Sequence, residues 1–381
     1  MVKDIFKNYI YPISVFSGGV IGVGFLSLPY VAMQSGIWLM LGYFIVLTSL
    51  IVVINLIFCD ISLKTPDFKR FPGFVGYYLG KRAETFTMIV TILGGIAVLL
   101  AYMLIGVQFF SSVFQPIFPI STLAIVLVYF LIVTIIICFD IKVVSRVEFW
   151  ALILLFLSLF FIFIKGFSHI QFGNIFPFNF KFNASKLFLP YGPLLFALWG
   201  VGLIPEVEEM IRGNKKRLKR IITISTIIIS VFYFLFTILI LGITGIHTEQ
   251  SALSGLKGVL GNTLVSVALL VGAIVSITAF ITQGIITKKT LVFDLKIKHW
   301  QAIVMTCCTP LVLFLLGFTS FIPIISFIGA ILLGIDGVLI LLMYKKIACL
   351  PAGRAVKNVT IWALFLVFIL GVIYEVAYFV K

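Results

Sequence analysis

The residues able to do chemistry here are few, and most of them are glycines. One apolar run reads Ser17-Gly-Gly-Val-Ile-Gly22-Val-Gly24-Phe-Leu-Ser-Leu-Pro29, and a second reads Ala197-Leu-Trp-Gly200-Val-Gly202-Leu-Ile-Pro205-Glu206. Each Gly costs a helix about 1 kcal/mol relative to Ala, and Pro cannot donate its backbone hydrogen bond, so both runs predict an unwound stretch within a helical segment. Peptide groups released there are themselves ligands. Free N–H groups and the positive end of the following half-helix suit a carboxylate, while free carbonyls suit an ammonium or a cation. The Gly18-x-x-x-Gly22 spacing alone also fits a small-residue contact between helices. The second Gly-Val-Gly followed by Pro favours the unwound reading. Neither strand nor βαβ unit surrounds these glycines, which excludes a dinucleotide fingerprint.

Acids and hydroxyls form the second set. Asp336 stands in the apolar stretch Gly329-Ala-Ile-Leu-Leu-Gly-Ile-Asp336-Gly, and Glu206 follows the second glycine run. A charge at a bilayer centre costs about 2.5–3.5 kcal/mol on insertion scales, so an acid retained there is a candidate proton carrier. For Asp336 the competing reading is a satisfied contact with a neighbouring helix. The rival coupling ion is sodium, held by carbonyls near Gly19 and by Ser276, Thr278 and Thr282. Thr278 and Thr282 share a helix face, although such hydroxyls often bond back to their own helix. Glu375 is expected to snorkel to the interface, and Asp60 and Asp140 to be solvated helix ends. Cys59, Cys138, Cys307, Cys308 and Cys349 show no metal spacing and read as packing residues. His169, His247 and His299 fall in loops or at helix ends. No cofactor, metal or catalytic centre is expected; an intramembrane protease and a channel are the weaker rivals.

The elements that carry these residues are helices in lipid. Hydrophobic residues make up 62% and charged ones 11% of the chain, a balance no soluble domain of this length carries. A hydrocarbon core of roughly 30 Å needs about 20 apolar residues per helix, and unbroken runs of that kind exclude barrel strands. We place eleven spans near residues 8–34, 36–62, 84–114, 119–139, 148–165, 188–211, 219–246, 259–290, 299–318, 320–344 and 358–380. The net charge of +15 is topological rather than a sign of nucleic acid. With the N-terminus inside, all but Lys165, Lys181, Lys186, Lys257 and Lys381 of the 28 basic residues fall on the inner side, as the positive-inside rule requires. The glycine runs lie in spans 1 and 6. Five intervening steps are odd, so residues 8–165 and 188–344 form an inverted repeat, with 358–380 as an extra helix in one membrane domain, 1–381. Paired interrupted helices in such a repeat mark a transporter binding site.

At these segments the sequence resembles the amino acid/auxin permease group and, more closely, the bacterial aromatic amino acid permeases of the amino acid–polyamine–organocation superfamily. The resemblance is carried by Gly19-Val-Ile-Gly22-Val-Gly24-Phe-Leu-Ser-Leu-Pro29-Tyr-Val-Ala32-Met-Gln-Ser35-Gly36, by Gly200 to Val207, by the basic run Lys215 to Arg220, and by Ser276-Ile-Thr278-Ala-Phe280. It implies a leucine-transporter-like fold of 5+5 helices plus one, working by alternating access in the cell membrane as a secondary amino acid transporter. Proton symport is the favoured mode; sodium symport, or uniport or exchange of another small zwitterion or amine, are the alternatives. By the same resemblance Gly18, Gly19, Gly22 and Gly24 offer backbone to the substrate carboxylate, Trp199, Gly200 and Gly202 shape the side-chain pocket, and Tyr102 of span 3 faces the site or packs the bundle. The family pattern requires no acid in span 10, so the role of Asp336 rests on physics alone. The 15% aromatic content is mostly Phe facing lipid and carries no substrate preference.

Overall fold

The computed structural model describes residues 9–66, 69–138, 144–176, 186–211, 214–348 and 358–380; Asp140, Cys349, Lys181 and Lys381 lie outside them. The described residues form helices and connections without strands. Span 1 is α1 (Tyr11–Val20) and α2 (Leu28–Ser35), joined by a 3-10 turn over Val23–Ser27 and bent by 52°. Pro29 sits in the first turn of α2, where its missing N–H is no loss. Gly36, at φ +87°, ends α2 and turns the chain into α3 (Ile37–Ser62). A short α4 (Phe71–Leu79) precedes α5 (Lys81–Phe114), α6 (Thr122–Cys138) and α7 (Val144–Phe167). Span 6 is α8 (Tyr191–Leu198) and α9 (Ile204–Met210), with a 3-10 turn over Val201–Leu203 between them. Then come α10 (Lys215–Thr244), α11 (Asn262–Lys289) and α12 (His299–Leu315). Span 10 is α13 (Phe321–Phe327), a π-helical turn over Ile328–Leu332 and α14 (Leu333–Ala348); α15 (Asn358–Val380) follows.

Each expected segment thus falls on a helix or an interrupted pair. Among the described residues, six helices are long and apolar enough to cross a membrane, seven with the bent pair of span 1; Thr122–Cys138, His299–Leu315 and Ile361–Ala377 are shorter apolar helices. The interruption in span 6 leaves two pieces of eight and seven residues, each too short to span alone.

Small residues set how closely the helices approach. A Cβ on Gly106 of α5 would meet Ser276 of α11 and Tyr129 of α6, one on Gly272 would meet Phe109 at 2.9 Å, and one on Gly284 would meet Ile137 at 2.6 Å. Lipid tails are as apolar as Leu, so close van der Waals packing of this kind is what joins α5, α6 and α11. The tightest approach is between spans 6 and 10, where a Cβ on Gly329 would run into the Gly192 carbonyl. Gly329 lies in the π turn, whose extra residue interrupts the regular helix at that contact.

On the face where α3 ends and α10 begins, Asp60 pairs with Lys215 (2.9 Å) and Lys219 (2.7 Å), and the Ser62 hydroxyl donates to Glu208 of α9. Asp60 is therefore a paired end rather than a simply solvated one. Lys288 is buried, and its ammonium donates to the Ile137 carbonyl (3.0 Å), where it meets the negative end of α6. Glu375 does not snorkel: it is buried, because α15 turns the face that carries Gly371 and Glu375 onto spans 6 and 10. Gly329→Ala is expected to destabilise the bundle by about 1–3 kcal/mol through overpacking, seen as a lowered thermal midpoint of the purified protein, whereas Ala at Gly42, which faces open space, leaves it near wild type.

Candidate functional site

The break in span 1 begins where α1 ends. The Ile21 N–H still reaches the Ser17 carbonyl (2.9 Å), but the Gly22 N–H bonds the Val20 carbonyl (2.9 Å), and Gly22 is extended at φ −105°, ψ −163°. Val20's carbonyl, lost to the helix ladder, also accepts the Tyr233 hydroxyl of α10 (3.4 Å). Tyr233 is fully buried and stacked on Phe25 of the 3-10 turn, centroids 5.1 Å apart and planes at 6°. A side chain from span 7 thus pairs one freed carbonyl that lipid would leave unsatisfied.

Span 6 breaks in the same way. Trp199 closes α8 in an extended conformation, Gly200 adopts φ −128°, ψ 8°, and the Leu203 N–H bonds the Gly200 carbonyl (3.1 Å). The two breaks touch. A Cβ on Gly24 would meet Phe196 at 2.8 Å, one on Gly200 would meet Phe16 at 2.5 Å and Val20 at 2.8 Å, and one on Gly19 would meet Leu203 at 2.6 Å. These glycines are needed because the partner break lies against their α-carbons. Gly18 and Gly202, in contrast, face open space.

Tyr102 of α5 comes to the same place: its hydroxyl lies 3.8 Å from the position a Gly22 Cβ would take. Tyr129 of α6 donates to the Tyr102 carbonyl (3.4 Å) from a fully buried position, supporting α5 at that level. The structure therefore brings together Gly19, Gly22, Gly24, Tyr102 and Gly200, with Trp199 half-buried at the margin. Gly19, Gly202 and Glu206 are exposed, and they lie on the halves of spans 1 and 6 that run toward the Asp60–Lys219 face. Glu206 is thus an acid at an open surface and not a buried one, since the first turn of α9 points it away from Pro205 and Val207, which are buried.

The remaining candidates lie elsewhere. Asp336 is in the first turn of α14, which packs chiefly on α3, α4 and α15, and its Oδ1 is buried without a hydrogen-bond partner. Ser276 donates to the Ala273 carbonyl (2.8 Å) and lies against Gly106 and Tyr129; Thr278 donates to the Val275 carbonyl (3.0 Å). Thr282 is engaged as well. On the opposite face a cavity of about 400 Å³ is lined by Gln108, Ser111, Gln250 and Ser320 together with apolar residues such as Leu104 and Phe314. Phe16, Phe196, Tyr129 and Tyr233 were not anticipated. Tyr129 and Tyr233 carry the signal that singled out Tyr102, a phenol in the middle of an apolar run.

The profile of the tryptophan/tyrosine permease family matches residues 7–376. The chain belongs to that family. Among curated proteins, none matches the permease in sequence. In three dimensions it is similar to MhsT, a transporter of the leucine-transporter fold whose crystal structure is "in complex with L-phenylalanine": the TM-score is 0.62 at 13% identity, over 96% of this chain and 97% of that one. The permease thus has the leucine-transporter fold. It is an integral membrane amino acid transporter and not an enzyme. Tyr102→Phe is expected to weaken amino acid binding by about tenfold or more with the fold retained, as checked by equilibrium binding of labelled substrate and by thermal unfolding.

Proposed function

We propose that the permease carries an aromatic amino acid across the cytoplasmic membrane by alternating access, together with a proton. One observation supports the site above all: the interrupted stretches of spans 1 and 6 touch, with the Tyr102 hydroxyl over Gly22. Free N–H groups on the far side of the span 1 break suit the carboxylate, and freed carbonyls suit the ammonium. Phe196 and Trp199, both part-buried beside the breaks, supply an aromatic wall for a planar side chain, in keeping with the family's substrates and with the phenylalanine held by MhsT. With the N-terminus inside and eleven spans, the exposed Gly19, Gly202 and Glu206 line an opening to the cytoplasm.

For the coupling proton we favour Asp336, an acid inside the bundle with an unpaired carboxyl oxygen. Sodium would need the span 8 hydroxyls turned to span 1, whereas Ser276 faces Gly106 and Tyr129. In proteoliposomes, labelled tryptophan or tyrosine should accumulate when the lumen is alkaline and unlabelled aromatic amino acids should compete. Asp336→Asn should abolish the accumulation while keeping substrate counterflow. Accumulation that follows a sodium gradient and ignores pH overturns the proton, and equal accumulation in wild type and variant removes Asp336.

A further inference from the structure

The transport reading leaves one buried acid unused. Glu375 on α15 is 3% exposed; it lies beside Ser326 of span 10, and its Oε1 is buried without a partner. One turn earlier on the same helix face, Gly371 receives the phenol of Tyr191, the first residue of α8: a Cβ there would meet the ring and lie 2.6 Å from the hydroxyl. That hydroxyl is also buried without a partner. Ser326 in turn lies against Gly192, 2.6 Å from where its Cβ would be. A buried carboxyl and an unpaired phenol thus lie on one face of α15, where the first half of span 6 docks on spans 10 and 11.

We propose that Glu375 is a second proton-binding site, whose protonation fastens α8 of span 6 to spans 10 and 11. The inference rests on the alternating-access reading but not on Asp336. Among the described residues no basic side chain pairs with Glu375. The ionisable groups on the surrounding elements are Tyr191 on span 6, Tyr43 on span 2, Tyr374 on its own helix and, about three turns along span 10, Asp336. Lys345 and Lys346 lie at the far end of that span, Lys345 over Trp362, and Lys186 on the preceding loop bonds Gln34. A carboxylate without a cation is costly in this setting, whereas the neutral acid brings a donor of its own to a pocket of hydroxyls. Release of the proton requires water, which enters when α8 leaves spans 10 and 11; the proton comes from, and returns to, water on that face. By linkage, substrate that draws α8 inward tightens the proton, and the proton tightens substrate.

The test is infrared difference spectroscopy of the purified permease in lipid, at acid and alkaline pH, with L-tryptophan binding measured alongside. A protonated-carboxyl stretching component that shifts in heavy water should be lost in Glu375→Gln and shifted in frequency in Ser326→Ala. Tryptophan affinity should vary about tenfold between acid and alkaline buffer in wild type and become flat in Glu375→Gln. Persistence of the component in Glu375→Gln, or a binding profile matching wild type, overturns the proposal. If Glu375→Gln does not fold, Ser326→Ala decides, and an unshifted band overturns it. Wild-type liposomes that ignore a pH gradient while the Glu375 component still titrates would instead reject proton symport.

Discussion

Inside a bilayer every peptide group must find its hydrogen-bond partner within the protein, and the two interrupted spans make this the governing constraint on the bundle. A chain that unwinds at Gly22 and Gly200 cannot present those stretches to lipid. Spans 1 and 6 are accordingly placed against each other, and Tyr233 is brought from α10 to the Val20 carbonyl. The glycines serve twice. They lower the cost of unwinding, and at Gly19, Gly24 and Gly200 they let the facing break come within contact of the main chain. Peptide groups freed at such breaks persist in lipid only where the protein encloses them.

Interruption also gives each span two halves that dock separately. The second half of span 6, α9, is tied by the bond from Ser62 to Glu208, next to the Asp60 pairs with Lys215 and Lys219. The first half, α8, instead rests on span 10 through Gly192 and Gly329 and on span 11 through Tyr191 and Gly371. One set of contacts is ionic and near a surface, where salt and water weaken it; the other is close-packed and dry. Opposite ends of one span are thus held by interactions of different character.

The helices themselves show little polarity around their circumference, and large apolar side chains such as Trp38, Trp150, Phe160 and Trp362 are exposed on the bundle's flanks. In lipid that exposure is the solvated state. It also explains why the pattern of apolar residues does not reveal which helix faces which: a side chain packed on a neighbour and one packed on acyl chains can be the same Leu or Phe.

What the sequence determined by itself was local. Glycine and proline weaken a helix wherever they stand, so the breaks at Gly22 and Gly200 were legible, and their five-span offset raised the expectation of an inverted repeat. Tyr102 and Asp336 were conspicuous for the same reason, as polar groups in apolar runs. What only the tertiary structure decided was which of these groups meet. Glu206 and Asp336 are both acids near apolar sequence, yet one is exposed and the other has a buried, unpaired oxygen. Glu375 looked like an interfacial acid because its surroundings are invisible along α15; Tyr191, which packs on the same face of α15 at Gly371, comes from span 6, far back in the chain. Burial is a property of pairs of helices, and in lipid apolar periodicity does not identify the pair.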